Sequence, residues 1–488
     1  MGKSCLNILV LGAGPAGLSA AWNLVQDGHK VTVLEKADVW GGQSLTFEDG
    51  GYRFDLGPHN IHSRHRAVLD FLSANLKDEW LERKLRAEIY FRRKRVEYPL
   101  VGIQVLKFLP WGTSFMCGVS FAWRRLLSLF LPAFKDNGTY ETWVVNRFGR
   151  RFYDIFFGPY TQKTWGVPPS ELSDVIGKKR IAVHSIVELI KSVLFKKESH
   201  HPENPRYIRQ CYAKHGVGKI SDFFAEGIVK GGGEIITGAK VKSLSIEGAE
   251  VTKLVYEKDG IATSIDRHDS SEGAGSWEVI STIPLNELIL SIESKIPREV
   301  REAASALDFT SEVFLFLQVD GENIFNVPLL YFSEDEFPFN RIYDIRLFSE
   351  HMVPKGKNAV CLELTCREGD ERWNMPDKKI FEICIAPLEK YGLLDRSRVE
   401  GYVVRRLKHA YPIFRVGFQK RLNRIYDYLF TIENLESFGR QGMFAYANVD
   451  DVIWMGFEVA KSLPYQKRMR LHLEELLPIY INYLNTGD

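Results

Sequence analysis

The spacing of hydrophobic and polar positions changes along the chain, and it predicts where helices and strands lie. Unbroken apolar runs at 6–11 and 30–34 are typical of parallel strands buried on both faces. Period-two alternation over 234–258 and 310–370 predicts further strands. Three-four spacing predicts helices over 66–87, 119–134, 139–156 and 185–196. The pattern as a whole indicates an α/β fold.

A glycine motif follows the first apolar run. Gly12 permits a tight turn, Gly14 lets a pyrophosphate approach the main chain, and Gly17 lets helix and strand pack closely. The predicted helix begins near Ala16, so its unpaired N–H groups point at the phosphates. Glu35 ends the second apolar run, where a carboxylate accepts a hydrogen bond from a ribose hydroxyl. A glycine turn alone does not explain Glu35, so we predict a bound dinucleotide.

The next segment indicates which dinucleotide. The paired glycines Gly41 and Gly42, followed by Asp-Leu-Gly-Pro-His at 55–59, resemble the flavoprotein group of amine oxidases, protoporphyrinogen oxidases and UDP-galactopyranose mutases. A Gly-Arg stretch at 439–440 and a predicted helix over 450–463 resemble the C-terminal part that closes their flavin site. The resemblance implies that FAD contacts Gly12, Gly14, Ala16, Gly17, Glu35, Lys36, Gly41, Gly42, Gln43, Pro58, His59, Gly439, Asp450 and Asp451.

The resemblance also implies a domain organisation, and 488 residues exceed one hydrophobic core. We expect a Rossmann-type FAD-binding domain, an inserted and mostly helical cap, and an antiparallel-sheet substrate domain. The expected bounds are 1–65, 206–290 and 430–488 for the FAD-binding domain, 66–205 for the cap, and 291–429 for the substrate domain.

Within this group, an aromatic segment at 156–166 resembles the uridine-binding motif of the mutases. Aromatic side chains beside a loop also occur simply as core, and the oxidases carry a looser version of the motif. Further similarity lies at 338–342, 410–412 and 439–451. The resemblance implies that substrate contacts Phe156, Phe157, Tyr160, Thr161, Trp165, Arg341, Tyr411, Arg440 and Tyr446.

Three of these residues receive catalytic roles from the resemblance. His59 would lie against the flavin ring, supported by His62, and Arg341 and Arg440 would stabilise a leaving diphosphate. The implied reaction interconverts the pyranose and furanose forms of a UDP-sugar, with the reduced flavin N5 attacking the anomeric carbon. NADPH or NADH is the candidate reductant.

One position departs from the mutase pattern. His184 stands where the mutases carry a cap-loop arginine, although Lys178, Lys179 and Arg180 are close in sequence. The departure leaves the substrate open, including whether it is a nucleotide sugar. The alternative is an FAD-dependent oxidoreductase acting on an apolar or amine substrate, for which the hydrophobic segment 108–134 would line a channel.

Segment 108–134 is apolar, but Pro110, Gly112 and Arg124 interrupt it, and a spanning helix needs about 20 uninterrupted apolar residues. We therefore expect no transmembrane helix and favour a buried helical pair, with a shallow membrane-contact surface as the alternative.

Composition narrows the remaining choices. With 64 basic and 62 acidic residues, no bulk charge would attract nucleic acid or an anionic membrane. Six scattered cysteines indicate reduced thiols rather than a metal site, and we expect no signal peptide before the first strand. We expect a cytoplasmic protein that acts on a small molecule, with a homodimer as one option.

Overall fold

A computed structural model describes residues 5–61, 65–83, 85–98, 109–130, 136–181, 210–267 and 277–463. Its centre is a parallel sheet, here called the nucleotide sheet. In spatial order its five strands are Leu435–Ser437, Trp277–Ser281, Asn7–Leu11, Lys30–Leu34 and Glu234–Ile236. The strand order brings Asn7–Leu11 and Leu435–Ser437, which are distant in sequence, into one sheet.

The nucleotide sheet is covered on both faces, which explains its unbroken apolar runs. Ile8 and Val10 join a hydrophobic cluster with the helices on one face, whereas Leu9 and Leu11 join a second cluster on the other. The helices on the first face are Pro15–Gln26, Gly218–Lys230 and Val449–Ser462. An antiparallel sheet contributes to the second cluster, and its strands are Lys240–Glu247, Glu250–Lys258 and Ile261–Asp266.

A second large sheet, here called the substrate sheet, has seven strands. In spatial order they are Val399–Pro412, Phe309–Asp320, Lys357–Cys366, Arg341–Asp344, Leu329–Phe332, Ala87–Phe91 and Lys94–Tyr98. The pairing is antiparallel throughout except between Leu329–Phe332 and Ala87–Phe91. The strands that the alternation predicted over 310–370 are therefore present.

The last two strands of this sheet correct the expectation of a mostly helical segment at 66–205. The predicted helix over 66–87 ends at Leu76, and the chain continues as strands Trp80–Arg83 and Ala87–Phe91. The physical reason is pairing: Trp80–Arg83 bonds to Gln210–Ala213, and Ala87–Phe91 completes the substrate sheet. Two small hairpin strands, Thr46–Asp49 and Tyr52–Asp55, precede this region.

The predicted helix over 139–156 is broken. Helix Tyr140–Phe148 ends at Gly149, whose φ of 83° and close approach to the Phe121 main chain admit only glycine. A short turn and a π-helical segment, Tyr153–Phe157, lead into helix Gly158–Trp165. The predicted helix over 185–196 lies outside the described residues.

The hydrophobic segment forms one long helix, Trp111–Phe130, here called the outer helix. The expected burial of this segment is wrong, because Trp111 is 93% exposed and Phe130 is 75% exposed. Among the described residues, no helix combines the length and the hydropathy that a membrane span requires.

The remaining helices connect the sheets. They are Arg66–Leu76, Arg150–Phe152, Val175–Arg180, Leu285–Leu290, Arg298–Ser305, Ile345–Phe348, Glu371–Asn374, Asp377–Lys390, Phe418–Leu429 and Gly439–Gly442.

Candidate active site

The glycine motif forms a tight turn at the start of the first helix. Gly12 has φ of 101°, and a Cβ there would lie 2.5 Å from Thr282 Oγ1. A Cβ on Gly17 would overlap the carbonyl oxygen of Gly12. A Cβ on Gly14 would meet no atom within 4 Å. The turn therefore leaves open space beside Gly14 at the helix N-terminus, where a phosphate is favoured.

Glu35 is held beside this turn by the main chain. Its Oε2 accepts a hydrogen bond from the Ala13 N–H at 2.8 Å, and its Oε1 accepts one from Ala37 at 2.9 Å. Lys36 lies 3.7 Å from Glu287 and is half exposed, so it contributes an ion pair at the surface.

Two further segments close on the phosphate turn. A Cβ on Gly42 would lie 3.2 Å from Gly14 Cα, and the Gly41 N–H donates to the Ala13 carbonyl at 2.8 Å. Gly439, with φ of 83°, approaches from the C-terminal part, where a Cβ would lie 2.9 Å from Ala16 Cβ. These predicted residues, although distant in sequence, converge on one turn.

Helix Val449–Ser462 packs against the helix that follows the turn, and a Cβ on Gly456 would lie 2.8 Å from the Ala16 carbonyl oxygen. Asn448 and Asp451 form a reciprocal capping box at its start, and Asp451 lies 3.4 Å from His65 Nε2. Asp450 is buried in the first turn. The structure therefore gives Asp451 a helix-capping contact in addition to its predicted cofactor role.

The Asp-Leu-Gly-Pro-His segment is anchored through Asp55. Its carboxylate accepts hydrogen bonds from Thr46 Oγ1 at 2.5 Å, the Tyr212 hydroxyl and the Val217 N–H. Burial raises the pKa of Asp55 to about 6, although these hydrogen bonds act in the opposite direction. Gly57 follows with φ of 97° and turns the chain toward the site.

Pro58 and His59 come next and are half-buried. Burial lowers the pKa of His59 to about 4, and the positive charges of Arg440 and Arg341 add to this effect. Its ring is therefore neutral at pH 7. His59 Nδ1 is buried and has no hydrogen-bond partner within the described part of the chain. His62, its predicted support, lies outside the described residues.

Tyr411 joins the predicted substrate residues. Its ring stacks on Tyr446 with centroids 5.6 Å apart and meets the edge of Trp165 at 6.1 Å. Arg341 Nη2 donates to its hydroxyl at 3.4 Å, and the Arg440 guanidinium lies 5.0 Å from its ring centroid. Desolvation raises the pKa of Tyr411 to about 12, although Arg341 lowers it. Four motifs distant in sequence therefore meet at one side chain.

Arg341 extends from its strand in the substrate sheet toward Tyr411 and is largely buried. It forms a two-point ion pair with Glu363 on the neighbouring strand, with Nη2–Oε2 at 2.6 Å and Nε–Oε1 at 3.1 Å. Burial lowers the pKa of Arg341, but Glu363 outweighs burial and keeps it well above its ordinary value. Its charge is thus fixed and partly neutralised by Glu363.

Arg440 is held by the main chain. Its Nη1 donates to the Ala447 carbonyl at 2.8 Å, and its Nη2 donates to the Ala410 carbonyl at 3.0 Å. Gln43 donates to the neighbouring His409 carbonyl. The predicted FAD-binding residue Gln43 thus ties the nucleotide side to the end of strand Val399–Pro412.

A comparison with known proteins identifies the family. Residues 15–420 match the model of the flavin containing amine oxidoreductase family. The protein belongs to this family. An L-amino-acid oxidase of Naja atra is 38% identical over 96 residues, which cover 18% of this chain and 19% of that relative. The chain therefore matches less than a fifth of that relative's length.

Solved structures resemble nearly the whole chain. Reduced UDP-galactopyranose mutase has a TM-score of 0.77 at 22% identity and covers 94% of this chain and 95% of its own. A structure named for protoporphyrinogen oxidase, from Exiguobacterium sp. 255-15, has a TM-score of 0.70 at 15% identity and covers 95% and 99%. At these identities the likeness establishes the shared fold.

Membership of this family implies a bound flavin, FAD, and the residues of the candidate site fit this cofactor. The open space beside Gly14 suits a pyrophosphate, and the Glu35 carboxylate is held where it can accept a hydrogen bond from a ribose hydroxyl. The buried Nδ1 of His59 has no hydrogen-bond partner among the described residues, as is expected of an atom that contacts a bound group. The chain is therefore a flavin enzyme of the amine oxidase superfamily.

The aromatic segment 156–166 forms the end of the π-helical segment and the following helix. Phe156 and Phe157 are buried and pack edge-to-face against each other, in the same cluster as Trp165. Tyr160 is half-buried and faces Tyr331. Thr161 is buried in the same helix. Phe156 and Phe157 therefore contribute core packing, whatever their contact with a ligand.

Two neighbours of Arg341 were not predicted from the sequence. Glu363 pairs with it, and the Tyr331 ring lies 5.9 Å from its guanidinium. Alternation along strand Lys357–Cys366 could have shown which face Glu363 occupies, but only the register places it opposite Arg341.

Three basic residues lie close in sequence to the position of the mutases' cap-loop arginine, and the structure describes the side chain of one of them, Lys178. Lys178 forms an ion pair with Asp174 at 2.9 Å. His184 lies outside the described residues, and for Lys179 and Arg180 the side chains do as well.

Proposed function

We propose that this flavin enzyme is a sugar-nucleotide mutase that interconverts the pyranose and furanose forms of a UDP-sugar. The observation that carries the proposal is the meeting of Arg341, Arg440 and Tyr446 at Tyr411. A diphosphate requires permanent positive charge together with directional donors, and guanidinium groups beside phenols provide both.

In this proposal each residue has a defined task. Arg341 and Arg440 stabilise the diphosphate as it leaves the anomeric carbon, and Tyr411 and Tyr446 orient it. Trp165 and Tyr160 bind the uracil ring by stacking. His59, neutral at pH 7, presents a ring nitrogen beside the flavin. When bound and reduced, FAD supplies the nucleophilic nitrogen of the reaction. A nicotinamide nucleotide as reductant is part of the proposal.

Calorimetric titration with UDP tests this function. We expect UDP to bind the dithionite-reduced FAD-loaded protein and to bind the oxidised protein about tenfold or more weakly. Tyr411→Phe removes the hydroxyl that accepts from Arg341 and should weaken binding about tenfold. Tyr402→Phe, on the same strand but stacked on Phe381, is the matched control and should bind as the parent does.

Product analysis completes the test. Reduced protein incubated with UDP-galactofuranose should yield UDP-galactopyranose, and Arg341→Met should abolish the conversion. Absence of UDP binding in both oxidation states would refute the nucleotide-sugar proposal.

A second candidate is an FAD-dependent oxidoreductase acting on an apolar or amine substrate. The ion pair between Arg341 and Glu363 supports it, because Glu363 offsets part of the positive charge that an anionic substrate would need. The L-amino-acid oxidase match supports it as well. The outer helix gives no support for an apolar channel, since its apolar residues face solvent. Oxygen consumption with L-amino acids, amines or protoporphyrinogen, together with indifference to UDP, would favour this function.

A further inference from the structure

The outer helix exposes large apolar side chains along its full length. Trp111, Phe115, Trp123 and Phe130 are 93%, 71%, 62% and 75% exposed. Their spacing, with Val119 and Leu126, is three or four residues, so they share one face of the helix. This face, here called the apolar stripe, consists of Trp111, Phe115, Met116, Val119, Trp123, Leu126 and Phe130.

The opposite face of the outer helix attaches to the protein through Cys117, which is buried in a hydrophobic cluster, and through polar contacts. Arg124 Nε donates to Asn146 Oδ1 at 2.7 Å, and Ser120 Oγ accepts from the Arg151 N–H at 3.1 Å. A surface helix of a water-soluble domain normally has the reverse arrangement, with its apolar face inward. The hydrogen bonds fix the orientation, so the apolar stripe is a stable outward surface.

The charge around the apolar stripe is positive. Residues 109–130 include no Asp or Glu, and Arg125 is the exposed charged side chain among them. In the sequence, Lys107 and Lys135 flank the helix. The acidic residues of the following helical segments are ion-paired: Asp136 with Arg147, and Glu141 and Asp154 with Arg150. An anionic partner therefore complements this surface.

We propose that the apolar stripe binds an anionic lipid bilayer, with the outer helix lying parallel to the membrane surface. Its 20 residues extend about 30 Å, enough for one flat contact along the interface. Exposed tryptophans together with arginine are typical of helices at the membrane–water boundary. The stripe is also a convex ridge, which an acyl-chain surface accommodates without a matching groove.

Vesicle flotation with the FAD-loaded full chain tests the proposal. We expect binding to phosphatidylcholine vesicles that contain phosphatidylglycerol, and weaker binding without the anionic lipid or at high salt. The double variant Phe115→Ser, Trp123→Ser should lower the partition coefficient by about tenfold or more, because both rings leave the bilayer. Arg125→Glu should reduce the preference for anionic vesicles.

A matched control replaces exposed apolar residues elsewhere. Val229→Ser, Ile261→Ser removes two side chains that are also well exposed but lie on a different helix and on a strand. This variant should bind vesicles as the parent does. Flavin absorbance and thermal unfolding establish that both double variants remain folded.

Two results would overturn the proposal. One is equal flotation of the parent and the Phe115→Ser, Trp123→Ser variant. The other is concentration-dependent dimerisation of the parent that this variant loses, without vesicle binding, which would make the stripe a contact between two copies of the chain.

Discussion

On the nucleotide side of the site the contacts are made by main-chain atoms and glycines, whereas on the substrate side they are made by charged and aromatic side chains. At Gly17 there is no room for a Cβ, and Glu35 is fixed by two backbone N–H groups. At Tyr411, by contrast, the partners are side chains from three other motifs. A site built from the main chain tolerates few substitutions. The binding preference of a site built from side chains can be changed by single substitutions.

The substrate side is also more neutral than its two arginines suggest. Glu363 pairs with Arg341, and two main-chain carbonyls accept from Arg440. Both guanidinium groups are thereby held in place before any ligand binds. Pre-positioned donors lose less freedom when they bind an anion, but their attraction for it is reduced by the charge already beside them.

The largest expected effect comes from the nucleotide side. Gly17→Ala places a Cβ against the Gly12 carbonyl oxygen, in main chain that cannot move aside. We expect a loss on the order of 5 kcal/mol in the free energy of unfolding, or no folded protein. Thermal unfolding and flavin absorbance of the purified variant measure this.

Gly14→Ala is the matched control. Gly14 has φ of −78°, which alanine adopts freely, and its Cβ would meet no protein atom within 4 Å. The variant should fold with stability close to the parent but hold FAD less tightly, because the methyl group occupies the space proposed for the pyrophosphate. Equal FAD affinity in this variant would place the phosphates elsewhere.

On the substrate side, Glu363→Gln should have the next largest effect. The change leaves the buried Arg341 charge without its counter-ion, and removing one partner of a buried pair costs about 3 kcal/mol or more. Chemical denaturation of the FAD-loaded protein measures the difference.

Glu400→Gln supplies the comparison, because Glu400 pairs with Lys357 at an exposed position. Exposed pairs contribute about 1 kcal/mol or less. Similar losses in the two variants would mean that the Arg341 pair is solvated in solution and that the substrate side is less pre-positioned than its geometry indicates.

The same contrast explains how much the sequence could predict. The glycine motif and Glu35 follow from local rules about turns and helix ends, whereas Gly439 came from the resemblance to the flavoprotein group, and all three lie together in the structure. Glu363 could not be predicted as the partner of Arg341, because it depends on register between two strands. The domain bounds and the individual ligand roles stay predictions.

The prediction for the outer helix was wrong for a different reason. Three-four spacing indicates which residues share a face but not which way the face points. The buried helical pair followed from assuming that apolar faces turn inward, and Ser120 and Arg124 reverse that orientation by bonding to the protein. Strand Trp80–Arg83 was missed because it was read as the end of the helix predicted over 66–87. Strands Ala87–Phe91 and Lys94–Tyr98 were missed because they lie in a segment that was expected to be mostly helical.

The smallest expected effect is the net pH dependence of the parent protein, because opposite slopes from Asp55 and His59 nearly cancel. The native pKa of Asp55 is raised to about 6 from 3.8, so its stabilising contribution is present below pH 3.8 and is lost as the pH rises to about 6. The native pKa of His59 is lowered to about 4 from 6.5, so its contribution is present above pH 6.5 and is lost as the pH falls to about 4.

Denaturation of the parent, Asp55→Asn and His59→Gln between pH 4 and 6.5 separates these slopes. As the pH falls, the stability of the parent relative to Asp55→Asn should increase, and its stability relative to His59→Gln should decrease, each by up to about 3 kcal/mol. The parent alone should show little net change, because the two contributions oppose each other in the same pH range. Difference curves of the same sign would show that one of the two groups is solvated in the folded protein.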